Sequence, residues 1–229
     1  MRPRREPTPR PVPRAGRITD IVPQRNDPER VSISIDGAFA FGLPAIAAAE
    51  ERLRVGDEID AERAAALLAI DERARAVSAA LAFLAYRPRS EREVRDRLRQ
   101  KGCPPATIDY VIEKLAGWRY LDDADFAKLW VDNRIANQPR GRRALEQELR
   151  RKGIAAETAR DTLDAADLDE RAAARETARK RLRQIGRADP TATRRRLADY
   201  LARRGFGYDT VRPVLDELLG ETDDDAPVE

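Results

Sequence analysis

Histidine is absent from this chain of 229 residues, and a single cysteine, Cys103, stands alone. The commonest general base and the commonest metal ligand are therefore missing. The usual zinc sites cannot be assembled, and no intrachain disulfide can form. Chemistry has to come from the 41 carboxylates or the 44 cations. Asp122 and Asp123 are the carboxylate candidates for metal binding or for a metal-dependent nuclease. They open a helical pattern, however, where a carboxylate satisfies orphan backbone N–H groups, and no further ligands lie near them. The cations cluster more tightly. Arg140, Arg142 and Arg143 precede Arg150, Arg151 and Lys152, while Arg194, Arg195 and Arg196 precede Arg203 and Arg204. Such groups bind phosphates or acidic surfaces. Arginine abundance alone, 39 Arg against 5 Lys, can reflect genome composition and carries no weight here.

The elements that hold these cations repeat. The motif Val94-x3-Leu98-Arg-Gln-Lys-Gly102-Cys103 recurs as Leu145-x3-Leu149-Arg-Arg-Lys-Gly153-Ile154 and as Leu197-x3-Leu201-Ala-Arg-Arg-Gly205-Phe206. The glycines lie 51 and 52 residues apart, a period that means an array of small units. Each glycine is placed to close a helix in the left-handed conformation, with apolar contact between Leu98 and Cys103, Leu149 and Ile154, Leu201 and Phe206. A second helix follows each glycine. Its apolar face is Ile108, Val111, Ile112, Leu115 in copy one and Val211, Val214, Leu215, Leu218 in copy three. Copy two is weaker, with Ala159, Thr162, Leu163 and Ala166. Ser90 and Glu93 form a capping box. Asp122 is the expected N-cap of a longer helix, with Leu121 stapled onto Phe126. Trp118, Tyr120, Phe126 and Trp130 read as core, and Cys103 as buried. The second helices lack basic or amide side chains for base edges; copy one offers Thr107, Asp109 and Glu113. That argues against a sequence-specific helix-turn-helix reader.

Other segments frame the array. Val31, Ile33 and Ile35 alternate along a strand, and Asp36-Gly37 is a tight-turn signal before Ala38–Phe41. The fold class expected is mainly α: a tandem array of three three-helix repeats, preceded by a small β-rich N-terminal domain. The divisions are a disordered basic Pro-rich arm over 1–15, the β-rich domain over 16–60, and a linking helix with repeat 1 over 61–119. Repeat 2 covers 120–166, repeat 3 covers 167–219, and an acidic disordered tail covers 220–229. Asp71 leaves open whether the linking stretch is one helix or two. Residues 1–17 carry a net charge of +5 and residues 220–229 a net charge of −5, so the body between them is +3. The acidic tail could compete for basic faces, but a solvated disordered tail is the better explanation. No apolar run reaches the ~20 residues of a membrane span, and no signal peptide is expected. A cytoplasmic protein follows, with no cofactor and no metal.

Ser90–Gly102, Tyr120–Arg134 running into Arg140–Ile154, and Tyr200–Tyr208 resemble the RecX family, the regulators of the RecA recombinase. The resemblance covers roughly residues 71–219. Residues 16–60 are similar to an N-terminal extension that some members carry. It implies a curved array of three-helix units that is not an enzyme. It implies binding in the helical groove of the RecA filament, with single-stranded DNA in that filament as a second partner. It implies inhibition of RecA's ATPase and strand exchange, hence regulation of DNA repair and recombination and of the SOS response. The contacts expected are Arg142, Arg143, Arg150, Arg151, Lys152, Arg203 and Arg204, on a monomer. The alternative is an autonomous nucleic-acid binder without sequence preference.

Overall fold

The structure is a computed structural model, and it describes residues 14–185 and 189–220. The basic arm up to residue 13 and the tail from 221 lie outside the described residues. The described residues divide into two compact units: those up to 87 with 95–118, and 88–94 with those from 119 onward.

The first unit opens with β1 (Gly16–Gln24), β2 (Asp27–Ile35) and β3 (Ala38–Pro44). α1 (Ala45–Glu50) and β4 (Glu58–Ile59) follow. The four strands form an antiparallel sheet in the order β3-β2-β1-β4. The β2–β3 connection turns at Asp36 (φ 49°) and Gly37 (φ 79°), the positive angles that a tight hairpin needs. Val31, Ile33 and Ile35 fall on one face by strand alternation and are buried with Ile18, Phe41 and Leu43. Ala64 and Leu67 of α2 (Ala61–Leu84) close this core.

α2 is one continuous helix of 24 residues through Asp71. Its N-cap Asp60 accepts from Arg63 N at 2.7 Å. Asp71 is buried, with a side chain 5% exposed, and it is ion-paired with Arg30 of β2 and with Arg75 Nε at 2.8 Å. A buried carboxylate held by two guanidiniums keeps the helix intact, because no N–H of the backbone has to satisfy it. α3 (Glu91–Gln100) and α4 (Pro105–Gly117) complete the first set of one long and two short helices. α4 packs against α2 through Ile108, Val111, Ile112 and Leu115, all buried.

The second unit contains two further sets. α5 (Asp123–Asn137), α6 (Arg142–Lys152) and α7 (Ala156–Ala165) enclose Phe126, Val131, Leu145, Leu149, Ile154 and Leu163. α8 (Glu170–Ile185), α9 (Pro190–Arg203) and α10 (Tyr208–Leu219) enclose Leu182, Leu197, Leu201, Phe206, Val214 and Leu215. Each fully buried Leu contributes about 1.5–3 kcal/mol, so these small cores rely on a handful of side chains. The weaker face of copy two is still seated, with Ala159 and Leu163 buried. Asp122 caps α5 as expected, accepting from Ala124 N at 2.9 Å and Asp125 N at 3.1 Å.

All three glycine closures adopt the expected geometry. Gly102, Gly153 and Gly205 have φ of 78°, 90° and 84°. Cys103, Ile154 and Phe206 donate their N–H to Leu98, Leu149 and Leu201 at 3.1, 3.1 and 3.2 Å. Gly102, Gly153 and Gly205 donate to Arg99, Arg150 and Ala202 at 3.0 Å or less. This is the double hydrogen bond of a Schellman motif. Cys103 is half-buried rather than fully buried. Two of the aromatics expected in the core are not there. Trp118 is 48% exposed and Tyr120 is 60% exposed, because both lie past the end of α4. Phe126 is buried, and Trp130 is half-buried.

Candidate functional site

The basic clusters sit on the short helices of the second unit, and their local folding separates them into two kinds. Lys152 ends α6. Its ammonium lies 2.8 Å from Glu93 Oε1 and 4.6 Å from the centre of the Trp130 ring. Glu93 belongs to the capping box of Ser90, whose hydroxyl accepts from Glu93 N at 3.3 Å. Trp130 in turn donates to Glu148 Oε2 at 2.9 Å, and Arg134 Nε reaches the same oxygen at 2.7 Å. Lys152 is therefore one member of a packed cation–indole–carboxylate group. Arg142 opens α6. Its backbone N–H donates to Glu170, its guanidinium pairs with Asp164, and Nη1 donates to the Leu163 carbonyl at 3.3 Å. Arg204 stacks over Tyr200 with its Cζ 4.8 Å from the ring centre.

Arg143, Arg150, Arg151 and Arg203 differ. These four are exposed, and none makes an ion pair among the described residues. Arg150 and Arg151 lie in the last turn of α6, where cations also oppose the helix dipole. Arg143 and Arg203 line the same groove of about 420 Å³, with Ala144, Ala202, Phe206 and Val211 forming an apolar floor and Tyr208 beside them. The groove exists because α6 and α9 approach through glycine. Gly141 N donates to Arg204 O at 3.0 Å. A methyl group on Gly141 would overlap the Gly205 carbonyl, and one on Gly205 would overlap Ala144.

Of the seven expected contacts, then, four present uncommitted charge and three are engaged within the unit. The seven expected contacts omit a second basic locus on the arginine-rich α8, where Arg171, Arg175 and Arg179 surround Glu217. The four-residue spacing of those arginines was the available signal. On the same helix, the hydrogen bond from Lys180 holds the Glu176 carboxyl below its usual range.

Asp122 and Asp123 show no catalytic arrangement. Asp122 is occupied as a helix cap, and Asp123 Oδ1 accepts from Glu91 N at 2.9 Å. Burial pushes the Asp123 carboxyl above its ordinary value of 3.8, opposed by the Glu91 hydrogen bond. Among the described residues, no group of three or more His, Cys, Asp or Glu is placed to hold a metal ion. No described helix is long and apolar enough to cross a membrane.

A small antiparallel sheet followed by three sets of three helices, with charge displayed on the short helices, defines a helical-repeat protein. Comparison with known proteins agrees element by element. Residues 16–60 match the regulatory protein RecX N-terminal domain. Residues 76–115, 122–163 and 169–215 match the first, second and third three-helix domains of RecX. The chain belongs to the RecX family of regulatory proteins. The regulatory protein RecX of Bacillus velezensis is 34% identical over 216 residues, covering 93% of this chain and 81% of that one. That of Bacillus subtilis is 31% identical over 213 residues, with 93% and 81% covered. That of Amycolatopsis mediterranei is 39% identical over 140 residues, with 61% and 80% covered. A crystal structure of regulatory protein RecX superposes with a TM-score of 0.73 at 26% identity, covering 88% of this chain and 99% of the other. The RecX of Lactobacillus salivarius gives a TM-score of 0.58 at 25% identity, covering 65% and 97%.

Proposed function

We propose that this protein docks on the filament that the RecA recombinase forms on single-stranded DNA. There it inhibits ATP hydrolysis and strand exchange, and so regulates recombination, DNA repair and the SOS response. It acts as a cytoplasmic monomer and a regulator, not an enzyme. The observation that carries the reading is the exposed set Arg143, Arg150, Arg151 and Arg203, charged yet without an ion pair among the described residues, on the short helices of successive repeats. Family membership supports the choice of partner. A surface that repeats along a chain suits a partner that repeats along a filament. Arg142, Lys152 and Arg204 support that surface by holding the helix ends that display it.

The direct check is co-sedimentation with RecA filaments stabilised on single-stranded DNA by a slowly hydrolysed ATP analogue. The protein should pellet with the filaments and remain soluble with RecA alone. Binding to bare DNA but not to filaments would favour the autonomous nucleic-acid binder instead.

A further inference from the structure

α8 carries a row of arginines that the core does not need. Arg171, Arg175, Arg179 and Arg183 recur every fourth residue. They therefore lie along one ridge of the helix, with a pitch of about 6 Å. Three of them converge on a single carboxylate of α10: Arg175 Nε is 2.9 Å from Glu217, Arg179 Nη2 is 3.7 Å away and Arg171 Nη2 is 3.9 Å away. Arg171 and Arg179 keep 60% and 55% of their side chains exposed, and Arg183 is exposed as well. One carboxylate leaves this group with excess positive charge. The neighbouring acids are already used: Glu176 pairs with Lys180 at 2.6 Å, and Asp216 pairs with Arg194. Like charges four residues apart repel on a helix surface. A single arginine would suffice to anchor Glu217.

We infer that the α8 row is a binding site for the phosphate backbone of a single-stranded nucleic acid, and that Glu217 occupies part of it until phosphates displace it. The guanidinium fork matches phosphate oxygens in two-point contact. Arg171 and Arg179 stand too far from Glu217 for a hydrogen bond, so their donors are available to a stronger anion. The row is evenly pitched along an inclined ridge of the helix, as a tracked strand can follow. An acidic peptide, whose charges are irregular, has no use for that pitch. This site lies outside the exposed arginines on α6 and α9 and acts on nucleic acid without RecA.

The test is fluorescence anisotropy of labelled oligo-dT with the full chain across a series of salt concentrations. R171Q/R175Q/R179Q should weaken binding at least tenfold at low salt. It should also reduce the slope of log affinity against log salt by about 2, since each single-strand phosphate contact accounts for roughly 0.7. E217Q should tighten binding several-fold. Should the triple variant not fold, R179Q/R183Q replaces it with an expected slope loss of about 1.4. A folded variant with unchanged affinity and slope overturns the inference, as does weaker binding by E217Q. Equal competition by polyglutamate also overturns it, in favour of an acidic protein surface. A chain that shows this salt dependence yet leaves RecA unaffected would keep the α8 site and refute only the filament reading.

Discussion

The Ser90 hydroxyl donates to the Lys152 carbonyl oxygen at 2.6 Å, so the head of one short helix holds the tail of the next. The same relation recurs one repeat on, where Gly141 N donates to Arg204 O at 3.0 Å. In both cases the residue before a short helix meets the last carbonyls of the following short helix, which lack partners within their own helix. The helix dipoles favour this pairing of a positive start with a negative end. Gly153, packed against Arg92, and Gly205, packed against Ala144, are thus joints as well as caps.

Ser90 serves both a cap and a joint. Ser90→Ala should destabilise the protein by about 1–2 kcal/mol, read as a lower urea midpoint, and Ser90→Thr should recover most of the loss. An unchanged midpoint for the alanine variant would mean that the hydroxyl holds nothing.

Gly102 and Gly205 share their conformation but differ in surroundings. A methyl group on Gly102 meets nothing within 4 Å, whereas one on Gly205 meets Ala144. Gly102→Ala should cost only the strained backbone angle, about 1 kcal/mol. Gly205→Ala should add the overlap, roughly 1–3 kcal/mol more. Equal melting temperatures for the two variants would contradict the joint.

Asp123 gives a pH signature. Its native carboxyl is raised by burial, so it keeps a proton to higher pH than the unfolded carboxyl at 3.8. The native state binds more protons in that window, so this group's contribution is full below 3.8 and falls as pH rises through the folded value. Asp123→Asn keeps an oxygen for the Glu91 N–H and removes the charge. Its melting temperature should exceed that of the parent at pH 7 and converge with it below pH 3.8. A less stable variant at pH 7 would contradict the burial cost.

Arg150 and Arg151 separate from Lys152 in the same turn. R150E/R151E should lower the melting temperature only slightly, by a helix-dipole cost of up to about 1 kcal/mol per site, while abolishing inhibition of RecA. K152E sets a carboxylate against Glu93 and should destabilise by about 2 kcal/mol or more. Unaltered inhibition by a folded R150E/R151E would remove those arginines from the contact surface.

Much of this was legible in the sequence, and what was missed shares one cause. The closures at Gly102, Gly153 and Gly205, the cap at Asp122 and the turn at Asp36-Gly37 depend on neighbours within six residues, so local pattern suffices. Ser90 with Lys152, Arg30 with Asp71 and Arg175 with Glu217 are pairs 62, 41 and 42 residues apart, and no periodicity announces them. For that reason the continuity of α2, the joints and the convergence of the α8 arginines on Glu217 appear only in three dimensions. The basic clusters were visible as charge, but which cations are spent on packing was not. Trp118 and Tyr120 look like core by type, and only their place beyond α4 exposes them.

The proposed restraint of RecA on DNA is tested by DNA-dependent ATP hydrolysis by RecA with this protein added at substoichiometric amounts. Hydrolysis should fall and filament lifetime should shorten, with R150E/R151E inactive in the same assay. Unchanged hydrolysis and unchanged filament lifetime at saturating protein would contradict it.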